Sequence, residues 1–363
     1  MIGERLKLAR KKAGYSLRAL SEAMNNKVSA QAIGKYERDE MMPASDVLTT
    51  MAKVLDVTLE YLLSNQIKEL RGVEFRKHSG TTVKERSRVE ATVIERVERY
   101  LSVEEILELN SADWHEPFPP RVLNALKEAE GLGKELRKEW ELGIDPIPNM
   151  TELLEEKGIK VLVIELPKNV SGLTCLVDRG EGKDPVPVIV VNKLFPLERR
   201  RFTLSHELAH RLIDERSPVD HEKASDVFAG SFLITADHLK QEISTHRRNI
   251  SLPELIQLKR MYRVSAAAML MRFKQAGILS ESAVAYAFQT FAKTWRKQEP
   301  SPLEVGENCG KFEEPKRFKR LCYWALSEKL ISPSKASDLL QMPYYDLEQE
   351  LQGNVAGHEN CNQ

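Results

Sequence analysis

Residues 203 to 214 read Thr-Leu-Ser-His-Glu-Leu-Ala-His-Arg-Leu-Ile-Asp, and this run restricts the possible folds more than any other part of the chain. Leu204, Leu208 and Leu212 recur at helical spacing, which predicts a helix with one buried face. His206 and His210 are four residues apart, about one turn, and project from the same side. At that separation two imidazoles can share one zinc ion, and Glu207 between them can reach a water at the same point. Such a helix needs a scaffold that covers its leucines and leaves its histidines open. Three strand-like runs stand just before it: Val161 to Leu166, Leu173 to Val177 and Pro187 to Val191, the last two separated by a turn region with Gly180, Gly182 and Pro185. The expectation is a small sheet followed by helices, at Thr203 to Asp214, Glu222 to Ile234 and Leu252 to Ala276. Val186 to Asn192 is a candidate edge strand to which an extended peptide could add by main-chain hydrogen bonds; a core strand is the equal alternative.

A catalytic zinc site takes three protein ligands and leaves a fourth position for water. The extended metalloprotease form would need Gly at 213 and His at 216, and Ile213 and Arg216 exclude it. Glu222 is the better candidate for third ligand, because Asp226, one turn further on, can orient a ligand imidazole from behind. Asp220, His221 and His238 remain competitors. Four cysteines (Cys175, Cys309, Cys322, Cys361) stand far apart with no Cys-x-x-Cys pair, against both a disulfide framework and a cysteine zinc knuckle.

The run Arg200-Arg201-Phe202-Thr203-Leu-Ser-His-Glu-Leu-Ala-His, followed by Glu222-x-x-x-Asp226-x-Phe228-Ala229, resembles the ImmA/IrrE family of zinc metallopeptidases over roughly residues 120 to 275. The resemblance implies an α+β zincin-like (gluzincin) domain in a cytoplasmic bacterial peptidase that cleaves a partner regulator protein. It assigns His206, His210 and Glu222 as Zn2+ ligands, Glu207 as the base and Asp226 as the support behind the ligands. Ser225-Asp226 stands where the family commonly has Ala-Asn, which keeps a side chain suited to that support.

The first 65 residues read as five short helices. Breaks fall at Gly14, at Asn25-Asn26 and at Pro43, and Ser45 is placed to cap the fourth helix. A helix starting near Ser29 presents Ala30, Gln31 and Lys35 on one face and turns Ile33 and Tyr36 to the core. Gln can pair bidentately with adenine, and Lys can reach guanine or phosphate. From Ser16 to Glu37 the text resembles the helix-turn-helix of Xre-type, phage-repressor-like regulators, and the likeness extends over about 1 to 65. It implies double-stranded operator DNA as partner, with Ser29, Ala30, Gln31 and Lys35 facing the groove and Arg38 on phosphate. Ten Lys and Arg against eight Asp and Glu in this stretch give weak nonspecific attraction, so a homodimer on two half-sites is expected.

Over the whole chain Lys and Arg balance Asp and Glu at 54 each, so any nucleic-acid site is local. The N-terminus has no apolar leader and no stretch reaches 18 uncharged apolar residues, so neither export nor a membrane span is expected. Residues 66 to 116 are strongly charged around Val89, Val93, Ile94, Val97 and Leu101, as in an exposed amphipathic helix serving as connector or dimerising arm. Pro117, Pro119 and Pro120 close it. The expected architecture is multidomain and mainly α: an all-α helix-turn-helix domain (1–66), a charged helical connector (67–119), the peptidase domain (120–276) and a helical C-terminal region (277–363) ending in a frayed tail from Asn354. The function read from this is a DNA-binding transcriptional regulator carrying a zinc-dependent endopeptidase. The alternative is an autoregulating repressor or antitoxin of a toxin–antitoxin pair, in which the zinc domain only binds its partner. An intact Glu207 favours the enzyme, since a structural zinc site needs no base.

Overall fold

The computed structural model describes residues 2–57, 59–63, 67, 69–72, 82–109, 114–179, 183–295, 297–306 and 309–353. The expected tail from Asn354, Cys361 and the turn glycines Gly180 and Gly182 lie outside them.

The N-terminal unit holds α1 (Ile2–Ala13), α2 (Leu17–Ala23), α3 (Ala30–Glu37), α4 (Ser45–Leu55) and α5 (Leu59–Leu63). Ser16 caps α2 and Ser29 caps α3, each accepting a hydrogen bond from the third helical N–H. Leu6, Leu20, Ile33, Met51 and Leu62 are fully buried in one core. Gly3 is required at its place: a Cβ there would sit 2.6 Å from the Tyr36 carbonyl oxygen, so only glycine lets α1 cross α3 this closely.

Beyond it come β1 (Glu69–Arg71), α6 (Val83–Ile106), α7 (Glu128–Glu139), α8 (Met150–Glu156), β2 (Lys160–Ile164), β3 (Gly172–Asp178), β4 (Val186–Asn192) and α9 (Leu197–Leu212). Then follow α10 (His221–Leu233), α11 (Ala236–Ile243), α12 (Leu252–Tyr262), α13 (Ala266–Gln275), α14 (Glu281–Gln289), α15 (Arg317–Ser327), α16 (Pro333–Leu340) and α17 (Tyr344–Leu351).

The four strands lie in the order β1-β3-β4-β2, with β2 parallel to β4 and the other pairs antiparallel. β4 is therefore interior, which corrects its candidacy as the edge. Pro187 does not forbid this, because β2 pairs with β4 only from Val188 onward and asks for no N–H at 187. Both faces of β4 are covered. Ile189 and Val191 pack with Leu204 and Leu208 of α9, while Val188 and Val190 pack with Val93 and Val97 of α6. β2 lies at one end of the sheet, and on the other side β1 pairs only with Leu176 to Asp178, so among the described residues no strand flanks Gly172 to Cys175 and this part of β3 is an open edge.

The exposed arm expected over 66 to 116 is also corrected. α6 forms, with a capping box at Thr82 and Glu85, but the acids of its buried face are paired inside the molecule. Arg5 of α1 is salt-bridged to Glu98 and Lys12 to Glu95, while Glu104 holds the buried Lys160. Tyr100 and Val103 turn to a separate core shared with Leu321, Ala325 and Leu339 of α15 and α16. The single helix expected over Leu252 to Ala276 is two helices, broken where Arg263 takes φ +53° and Ser265 caps the next.

Candidate metal centre

α9 begins at Leu197, six residues before the predicted start, because buried acids hold its first turn. Glu304 accepts from the Leu197 N–H and both terminal nitrogens of Arg200, and the fully buried Arg201 is ion-paired with Glu313. These contacts fix the helix against the segment after α14 and set the rotation that carries the two histidines to the surface.

His206, His210 and Glu222 come together: one donor atom from each lies within 4.8 Å of the others. The two Nε2 atoms are 3.2 Å apart, and Glu222 reaches toward both, at 3.3 Å from His206 and 3.7 Å from His210. Glu222 is brought there by α10, which starts at His221 and packs along α9. Asp226, one turn later, meets His206 Nδ1 at 2.9 Å, which directs the other ring nitrogen at the cluster. Burial by itself lowers the His206 pKa, but Asp226 and Glu222 by hydrogen bonding and Glu207 by its charge push it up to about 10. Two imidazoles amid three carboxylates form a site that calls for a cation, and two nitrogens with one carboxylate oxygen suit zinc.

The competing ligands are elsewhere. Asp220 caps α10, His221 faces the Ser217 carbonyl, and His238 meets the Tyr262 hydroxyl at 2.6 Å. Glu207 is nearly buried beneath the cluster, beside β3. A Cβ on Gly172 would lie 3.5 Å from its Cγ and only 2.5 Å from Thr203 Cγ2. The result is a cleft of about 210 Å3 whose walls are Ser171 to Thr174 of the free edge on one side and Arg199, Phe202 and Thr203 of α9 on the other. Sequence reasoning missed Gly172 and Arg199. Arg199 was legible in principle, since it stands seven residues, two turns, before His206 on the same helix face.

On α3, Gln31 and Lys35 are exposed, Ala30 is half-buried and Ser29 is the cap, while Ile33 and Tyr36 are buried as expected. Arg38 is exposed and held bidentately by Glu40, at 2.6 and 3.0 Å.

Residues 154–274 match the family described as Peptidase_M78, IrrE N-terminal-like domain, and residues 6–62 match HTH_3, helix-turn-helix. The HTH-type transcriptional regulator ImmR of Bacillus subtilis (strain 168) is similar at 28% identity over 137 residues, 38% of this chain and 97% of that protein. The chain thus joins an Xre-type helix-turn-helix domain at its N-terminus to a domain of the ImmA/IrrE peptidase family.

Proposed function

We propose that the protein is a cytoplasmic DNA-binding transcriptional regulator whose second domain is a zinc endopeptidase acting on a partner regulator protein. The observation that carries the proposal is the convergence of His206, His210 and Glu222 over Glu207, in a cleft walled by a free strand edge. His206, His210 and Glu222 would hold a zinc ion, which would supply Lewis acidity at the scissile carbonyl. Asp226 fixes the His206 tautomer. The substrate lies extended along Gly172 to Cys175, whose main-chain groups on the side away from β4 hold it by strand addition. Glu207 accepts a proton from the attacking water as its oxygen bonds to the carbonyl carbon. The C–N bond then breaks, and Glu207 returns that proton to the departing amine. Among the described residues no helix is long and apolar enough to cross a membrane, and a cytoplasmic location goes with a role on DNA.

At the other end, Ser29, Ala30, Gln31 and Lys35 face the major groove of an operator, with two copies of the chain on two half-sites. Arg38 exchanges Glu40 for a backbone phosphate. The domain limits we propose remain 1–66, 67–119, 120–276 and 277–363, with 67–119 an integral layer and not a tether.

The test is metal analysis of the purified chain in parallel with mass-spectrometric detection of cleavage of co-expressed partner candidates. His206→Ala and Glu222→Gln are expected to lose zinc. Glu207→Gln should keep zinc and lose cleavage by about 100-fold or more. If wild type and Glu207→Gln leave every partner equally intact while still binding it, the antitoxin-like binding reading replaces this one.

A further inference from the structure

Arg199 is the one cation lining the cleft, among the described residues, that is not a metal-ligand candidate. Its neighbours in sequence are both neutralised, Arg200 by Glu304 and Arg201 by Glu313. Arg199 is not: among the described residues it has no carboxylate partner, and its guanidinium's one hydrogen bond goes to the Ser171 hydroxyl at 2.8 Å. The guanidinium is nevertheless fixed in place, stacked on the Phe195 ring at 3.7 Å from the centroid. Partial withdrawal from water lowers its pKa. A guanidinium has five N–H donors, so most of this group's hydrogen-bonding capacity remains unspent at the wall of the cleft.

Two facts set where a peptide would meet it. Ser171, to which Arg199 is tied, directly precedes the free edge of β3. Along α9, Arg199 is seven residues from His206, roughly 10 Å of helix, which an extended peptide covers in about three residues.

We propose that Arg199 selects substrates carrying a carboxylate about three residues to one side of the bond that is cut, a specificity that rests on the peptidase reading above. A carboxylate on a neighbouring strand accepts two parallel N–H bonds from the fork of a guanidinium, and the prior stacking on Phe195 reduces the ordering cost of forming them. An acidic side chain and a free peptide C-terminus offer the same chemistry.

The experiment uses the full-length, zinc-loaded protein on mixed-sequence peptide libraries, one with amidated and one with free C-termini, with cut sites read by mass spectrometry. In the amidated library, sites cut by wild type should be enriched in Asp and Glu at one fixed position. Arg199→Glu should lower that enrichment about tenfold or more and favour Lys and Arg there, while Arg199→Lys keeps a reduced preference. Zinc content should be unchanged in both variants, showing that the metal centre is intact. Enrichment confined to peptides ending at that position with a free C-terminus assigns the carboxylate to the terminus. Cleavage with no enrichment in either library, or enrichment unaltered in Arg199→Glu, overturns the inference and leaves the peptidase standing. No cleavage of any peptide by the zinc-loaded wild type removes both.

Discussion

The centre depends on a residue that has no side chain. Gly172 lies where β3 passes against α9, and an added methyl would fall 2.5 Å from Thr203 Cγ2 and 2.7 Å from the Val190 carbonyl oxygen. Thr203 can rotate, but the carbonyl belongs to the sheet and cannot give way without moving β4. Gly172→Ala is therefore expected to cost about 1–3 kcal/mol in overpacking and to push the free edge off the cleft. Zinc content should hold while peptide cleavage falls, and the two readouts together separate displacement of the strand from loss of the metal. A variant with wild-type melting temperature and wild-type cleavage would show that the approach is not this tight. The histidine pair could be read from spacing because a helix turn is short-range geometry, whereas the choice of Glu222 over Asp220, His221 and His238 rests on Asp226 one turn on and on the family resemblance. Gly172 could not be read either way, since its reason for being glycine is a carbonyl oxygen 18 positions away on the neighbouring strand, with a threonine of α9 crowding the same space.

The same limit of range governs the elements. Leu204, Leu208 and Leu212 announced α9, but its first turn was invisible because the acids that bury Arg200 and Arg201 lie more than a hundred residues later. The apolar run Val186 to Val191 could not distinguish an edge from an interior strand, for it shows no alternation once both of its faces are covered. α6 was legible as a helix and misread as solvent-facing, because charge in sequence does not tell whether a partner arrives from elsewhere. The Arg5–Glu98 pair, at 3% and 7% side-chain exposure, makes that consequence measurable. Glu98→Ala leaves a buried guanidinium without its carboxylate and is expected to destabilise the protein by about 3–5 kcal/mol, whereas Arg5→Met with Glu98→Leu should recover most of the loss. Urea unfolding of the three proteins decides it, and a loss under about 1 kcal/mol for Glu98→Ala would mean the two units are not held together by this pair.

At the scale of the whole molecule, Glu155 is one group through which pH acts on stability. It lies buried at the meeting of three parts, on α8, with the Tyr100 hydroxyl of α6 at 3.4 Å and the Arg317 N–H at the start of α15 at 3.3 Å. Burial pushes its pKa from 4.5 up to about 7, against the opposing pull of the Arg317 N–H. A carboxyl that holds its proton more tightly folded than unfolded contributes stability that is full below about pH 4.5 and lost as pH rises through about 7, up to about 3 kcal/mol. Wild type should accordingly melt lower at pH 8 than at pH 5 by more than Glu155→Gln does. Identical pH profiles for the two proteins would contradict this.

α6 packs on the sheet, pairs with α1 and completes the core of α15 and α16. It therefore bears on how such a chain diversifies. A DNA-reading unit joined by a loose tether can be exchanged between relatives by recombination at the tether, and a new pairing needs nothing but a compatible length. Here a crossover near residue 66 would separate α6 from α1, and one near 119 would separate it from both the sheet and the α15–α16 core, so either recombinant would inherit a mismatched surface. Reader and blade are expected to change by point substitution and to travel between genomes as one inherited block.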